Sequence, residues 1–301
     1  MATTGRRRGL LGWLGRIAAA VTFGYLGYLT VEGSRRIVSP GRRPFVPEEG
    51  EPATPADIGL AYEDVRFTTD DGVTLSGWLV PAARETRGAV VLMHGFSWHR
   101  LPWLAGFVPW LQRRYNVLQF DFRGHGGSDD ALISLGTLEQ RDVAAAVRFL
   151  EGRGLGPIAL MGISMGGSVA IMAAPDLPVA AVVADAAYAE LRNPIANRMR
   201  EAGYPLTRLG AASLRARVRL RSPIHRVSQI APRALLLISP GEDRLVSPHQ
   251  SQRMFGAAGE PKELFVVPGA AHGEAHATDP VAYERRVLDF LARHLDGEAT
   301  V

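Results

Sequence analysis

Hydrophobic and polar positions change rhythm along the chain, and each rhythm predicts an element. YEDVRFTTDDGVTLSGWLVP, residues 62–81, alternates apolar and polar residues on both sides of Asp70-Asp71-Gly72, which predicts a hairpin of two strands. GAVVLMHG, residues 88–95, is a continuous apolar run ending in glycine, the signature of a strand buried on both faces. Similar runs follow in YNVLQFD, PIALMG, VAAVVAD, RALLLISP and KELFVVPG. Between them the spacing predicts helices over about Pro102–Arg114, Leu135–Glu151, Gly166–Ala174, Pro248–Ala257 and Pro280–His294. Buried strands alternating with helices predict an α/β fold with a mostly parallel sheet, opened by an antiparallel hairpin.

In such sheets functional groups gather at the carboxyl ends of the strands. His94-Gly95-Phe96 follows the first buried strand, and Gly162-Ile-Ser164-Met-Gly166 follows PIALM. Gly241-Glu-Asp243 and Gly269-Ala-Ala-His272-Gly273 follow the last two strands. A serine, an aspartate and a histidine therefore share one edge of the sheet. A serine hydroxyl needs a base to accept its proton, and a carboxylate to hold that imidazole in the right tautomer. Glycines two positions either side of Ser164 allow a sharp strand-to-helix turn that leaves the hydroxyl exposed. The backbone N–H groups of Phe96 and Met165 are the natural pair of donors for an oxyanion. Glu242 and Asp185 are competing acids, and His276 is a competing base. His94 and His125 read as loop-ordering residues.

Composition narrows the chemistry. The chain has 301 residues, 47% of them hydrophobic, and no cysteine, which excludes disulfides, thiolate metal sites and a thiol nucleophile. No histidine and acid spacing suggests a metal site, and no cofactor is expected. The net charge of +4 is unevenly spread: residues 1–43 carry +7, and the remaining 258 sum to −3. The basic surplus belongs to the N-terminus, so nucleic acid is not an expected partner.

That N-terminus follows Arg6-Arg7-Arg8 with an apolar stretch. Ile17–Val31 gives 15 uncharged residues, a helix of roughly 22 Å against a hydrocarbon core of about 30 Å. Starting at Gly9 gives 23 residues, enough to span if Arg16 snorkels. Residues 1–38 are therefore expected to form a membrane anchor with an uncleaved helix. A cleaved signal peptide and a buried helix of the domain are the alternatives. Arginines flank both ends, so orientation is weakly determined, with the exoplasmic side favoured for the domain. Residues 39–57 contain many prolines and read as an extended linker, and residues 58–301 form the domain.

With HGF, DFRGHGGSD, GISMGG, GEDRLVSP and GAAHG in this order and spacing, the chain resembles the α/β-hydrolase superfamily over about residues 58–296. It is most similar to the branch that holds monoacylglycerol lipases, proline iminopeptidase-like enzymes and membrane-tethered serine hydrolases. The resemblance implies Ser164 as nucleophile, Asp243 as acid and His272 as base. It implies a serine hydrolase acting on a small-molecule or lipid-like carboxylic ester or thioester. An aminopeptidase or amidase of the same fold, and a catalytically silent scaffold, are the other readings.

The resemblance also implies a lid at the insertion of about residues 186–226. That segment holds nine arginines against Glu190 and Glu201. It reads either as a solvated basic face or as a surface for an anionic membrane or an acidic substrate group.

Overall fold

The computed structural model describes residues 4–38, 42–191, 200, 203–204 and 221–296. Eight strands form one sheet: β1 (Glu63–Thr68), β2 (Thr74–Val80), β3 (Ala89–Met93), β4 (Asn116–Phe120), β5 (Ile158–Ile163), β6 (Ala181–Asp185), β7 (Ala234–Pro240) and β8 (Lys262–Val267). Their order is β1-β2-β4-β3-β5-β6-β7-β8. The β1–β2 and β2–β4 pairs are antiparallel and every other pair is parallel. This is the α/β-hydrolase fold that the motifs imply.

Burial explains the two strand rhythms. The central strands β3 to β7 are buried along their whole length, whereas β1 at the edge alternates, with Val65 and Phe67 inward. Successive residues of β5 feed opposite cores: Leu160 joins one hydrophobic cluster, Met161 and Ile163 the other. On the first face lie α3 (Glu139–Gly152), α4 (Met165–Ala173) and α5 (Pro248–Ala257), contributing Val143, Val169 and Met254. On the second lie α2 (Leu101–Gln112) and α7 (Pro280–Leu291), contributing Leu104, Val108, Tyr283 and Phe290. A short α6, Ala275–Thr278, precedes α7. A sheet covered on both faces has its strand ends as the open place for chemistry.

Helix α3 starts four residues later than its apolar pattern predicts. Leu135 adopts a positive φ of 55°, and the buried Glu139 side chain accepts from the N–H groups of Ser134 and Gly136 and from the Ser134 hydroxyl. Those bonds hold 134–136 in a turn whose backbone at Leu135 lies outside the helical region.

At the N-terminus, α1 runs from Thr4 to Val38. Its stretch Trp13–Gly33 is 21 residues long with mean hydropathy 1.3, long and apolar enough to cross a membrane by length and composition, and it is almost wholly exposed. Near its end Gly33 packs so close to Tyr204 that a Cβ there would lie 2.7 Å from the ring. The following stretch is extended, as its prolines require, but it lies on the domain. Arg42 donates to the carbonyls of Gly126 and Ser128, and Phe45 packs edge-on against His99.

Most of the expected lid, with Arg192, Arg198, Arg208, Arg215, Arg217 and Arg219, lies outside the described residues.

Candidate active site

Between Ile158 and Ala174 every residue is buried except Ser164. Its backbone is turned to φ 56° and ψ −112°, a conformation that costs a non-glycine residue roughly 1–3 kcal/mol. The cost is met by neighbours: Ser164 N–H donates to the Asp185 carbonyl at 2.8 Å, and the Ser164 carbonyl accepts from the Ser168 N–H at 3.0 Å. The flanking glycines are a steric necessity. A Cβ on Gly162 would lie 2.2 Å from the carbonyl carbon of Gly166, and a Cβ on Gly166 would lie 2.5 Å from the Met93 oxygen. With both positions bare, strand β5 turns directly into α4 and the hydroxyl stands clear of the sheet.

The structure brings the serine, histidine and aspartate of the strand ends into one chain of hydrogen bonds. His272 Nε2 is 2.9 Å from Ser164 Oγ, and His272 Nδ1 is 2.6 Å from Asp243 Oδ2. Asp243 has no exposed side-chain surface. Its Oδ1 accepts the N–H groups of Leu245 and Val246 at 2.9 and 2.7 Å. The aspartate thus caps its own turn with one oxygen and holds the imidazole with the other. Because Oδ2 is an acceptor, the proton sits on Nδ1, and Nε2 is left to receive the serine proton.

The competitors are placed elsewhere. His276 Nε2 bonds to Glu284 Oε1 at 3.1 Å, its ring stacked on Trp110. Glu242 is exposed. Asp185 is fully buried and accepts from the Tyr283 hydroxyl at 3.1 Å. Burial pushes its carboxyl up to about 7, the Asp243 charge adding to this while Tyr283 and His272 oppose it.

Of the two expected oxyanion donors, the Met165 N–H opens α4, where no helical carbonyl is available to it. The Gly95-Phe96 turn stands beside the serine, and a Cβ on Gly95 would lie 3.6 Å from Ser164 Cβ. Two buried histidines brace this turn from behind. His94 Nε2 accepts the Phe122 N–H at 3.0 Å, so its proton is on Nδ1 and donates to the Gly95 carbonyl at 2.7 Å. His125 Nε2 accepts the Ser97 N–H at 3.3 Å while Nδ1 donates to the Arg123 carbonyl at 2.8 Å. Burial holds both imidazoles below the usual histidine range. Each is a neutral strut with both nitrogens engaged.

Ser164 and His272 open into a cleft of about 270 Å³ walled by Phe96, Trp98, Trp103, Leu245 and Glu274. Of these, Phe96 lies in HGF and Leu245 in GEDRLVSP, whereas Trp98, Trp103 and Glu274 carry no signal in the sequence. Trp98 and Trp103 sit in a loop-to-helix passage, SWHRLPW, with neither strand nor helix periodicity to mark a face.

The chain is similar to known proteins over most of its length. The profile of the alpha/beta hydrolase family matches residues 90–286, which includes all three residues of the chain of hydrogen bonds. An uncharacterized protein of Mycobacterium tuberculosis strain H37Rv is 30% identical over 295 residues, covering 95% of each chain. The polyketide transferase grgF of a Penicillium species is 29% identical over 290 residues, 78% of this chain and 98% of its own. Among solved structures, an esterase of Pyrococcus furiosus superposes with a TM-score of 0.70 at 29% identity, over 80% of this chain and 96% of that one. Sheet order, the bare-glycine turn and a match over most of the chain converge on one assignment: this chain belongs to the alpha/beta hydrolase family.

Proposed function

We propose that the protein is a serine hydrolase that cleaves a carboxylic ester or thioester through an acyl-enzyme. Ser164 Oγ attacks the substrate carbonyl as His272 Nε2 takes its proton. Asp243 holds the imidazole and stabilises the imidazolium that forms. The N–H groups of Met165 and Phe96 receive the developing oxyanion. His272 then returns the proton to the leaving alcohol, and water, activated by the same imidazole, releases the acid. The observation that carries this reading is the unbroken path from Asp243 Oδ2 to Ser164 Oγ, at 2.6 and 2.9 Å, at the floor of an aromatic cleft.

The mostly apolar wall favours a lipid-like acyl group, in line with the lipase-containing branch that the motifs resemble. One observation favours the amidase reading: Glu274 places a carboxylate on the cleft wall, where a substrate amine could pair with it. Rapid mixing with p-nitrophenyl butyrate tests the main reading. A burst of one nitrophenolate per active site is expected, with Ser164→Ala losing roughly four to six orders of magnitude in turnover. Turnover of amino-acid p-nitroanilides in preference to esters would select the amidase.

We also infer that residues 1–38 anchor the domain to a membrane. The exposed Trp13–Gly33 stretch supports this.

A further inference from the structure

A second cavity, of about 420 Å³, lies beside the catalytic cleft. The two share a wall, since Trp98 and Pro102 line both. The far side of the second cavity is built by the stretch that follows α1, through Arg43, Pro44 and Val46. The cavity's lining is mixed: Trp98, Pro102, Pro44 and Val46 are apolar, and the buried His99 and the exposed Glu48 and Glu51 are polar or charged.

Trp98 is held in place from both directions. Before it, Ser97 takes a positive φ of 61°, and the Trp98 N–H donates back to the Gly95 carbonyl at 3.3 Å, tying the indole to the turn beside Ser164. From outside, the Arg43 guanidinium stacks on the indole ring at 4.0 Å, a cation–π contact of the kind that holds an aromatic face. Arg43 is itself fixed by its neighbours in the strap. Arg42 bonds to Gly126, Ser128 and Asp130, and Phe45 lies against Trp78 and under the Arg100 guanidinium. Strained backbone clusters at active sites and ligand clamps, and here the strained Ser97 directly precedes the wall residue Trp98.

We propose that Trp98 is a length gate between two chambers of the substrate site, and that Arg43 holds it closed. The ligand class is an ester with an unbranched alkyl chain. Short chains fit the first cleft. Longer ones reach the indole and require it to swing toward the second cavity, against the hold of Arg43. The strap behind α1 thereby becomes part of the specificity machinery. The inference rests on Ser164 being the nucleophile, and the test separates the two.

The test uses the full-length protein and two alkyl fluorophosphonates, ethyl and dodecyl, with the ratio of their labelling rates as readout. In the wild type the dodecyl probe should be the slower. In Trp98→Ala the long-to-short ratio should rise about tenfold or more, as expected when two or three methylenes gain apolar cover. Arg43→Ala, a change at an exposed residue that leaves the core intact, should raise the ratio in the same direction by a smaller factor. An unchanged ratio in both variants, with the ethyl probe still labelling Ser164, overturns the gate and leaves the nucleophile standing. Failure of the ethyl probe to label Ser164 in the wild type overturns the nucleophile and the gate together.

Discussion

The Asp185 carboxyl accepts a hydrogen bond from the Tyr283 hydroxyl at 3.1 Å, one strand away from the carboxylate that holds the imidazole. Asp185 and Asp243, both buried, are therefore distinguished by their partners. Asp243→Asn should lower ester turnover by on the order of 10⁴, because the amide favours the wrong imidazole tautomer. Asp185→Asn should be far milder. Steady-state kinetics on p-nitrophenyl butyrate compares them, and the reverse ranking would move the acid to the earlier strand.

The same pair gives a pH signature in stability. Asp185 ionises at about 7 in the folded state, against about 3.9 in an unfolded chain. Between those values the folded protein keeps a proton that the unfolded chain has lost. The stability contributed by this group is full below its unfolded value and is lost as the pH rises through its folded one. Asparagine does not titrate, so the wild type should lose on the order of 4 kcal/mol relative to Asp185→Asn over that window. Urea unfolding at graded pH measures it, and a difference independent of pH would contradict the buried neutral carboxyl.

His94 should matter to both stability and rate without touching substrate. His94→Phe leaves the Phe122 N–H without its imidazole partner, at about 1–3 kcal/mol for that buried donor, and takes the imidazole donor from the Gly95 carbonyl, which keeps the Trp98 N–H. Turnover should fall as well, since the turn it braces carries the Phe96 N–H. Urea melts and kcat on the short ester read the two effects; a destabilised variant with undiminished kcat would confine His94 to folding.

If α1 is an anchor, its hold on the bilayer is apolar and resists salt, because screening weakens only charge contacts. The full chain should stay with membranes through a high-salt wash. A chain starting at residue 41, which keeps Arg42, Arg43 and Phe45, should be soluble and retain turnover of short esters. Release of the full chain by salt alone would mean surface attachment. Loss of activity on truncation would give the contact between Gly33 and Tyr204 a role beyond packing.

How much of this was legible beforehand depended on whether a feature is local. The strands β3 to β7 are buried on both faces, so their apolar runs betray them without any partner being known. Ser164 is marked by glycines within two positions, and Asp243 and His272 each lie within a few residues of a strand's end. The strap is different. Arg42, Arg43 and Phe45 sit among prolines in a stretch with no periodicity, and their partners, Gly126, Trp98 and His99, lie scores of residues away. Composition alone reads such a segment as a free linker. The late start of α3 escaped for a related reason: Glu139 has a good helical residue's identity and spends its carboxylate on the preceding turn.

The central claim is that Ser164, activated by His272, is the group that attacks substrate. Mass mapping of the adduct formed with ethyl fluorophosphonate on the folded full-length protein tests it most directly. The expected result is a single adduct on Ser164, absent from Ser164→Ala and from His272→Ala on the same timescale, and retained in His276→Ala. An adduct on another residue, or one that persists at full rate in Ser164→Ala, would contradict it.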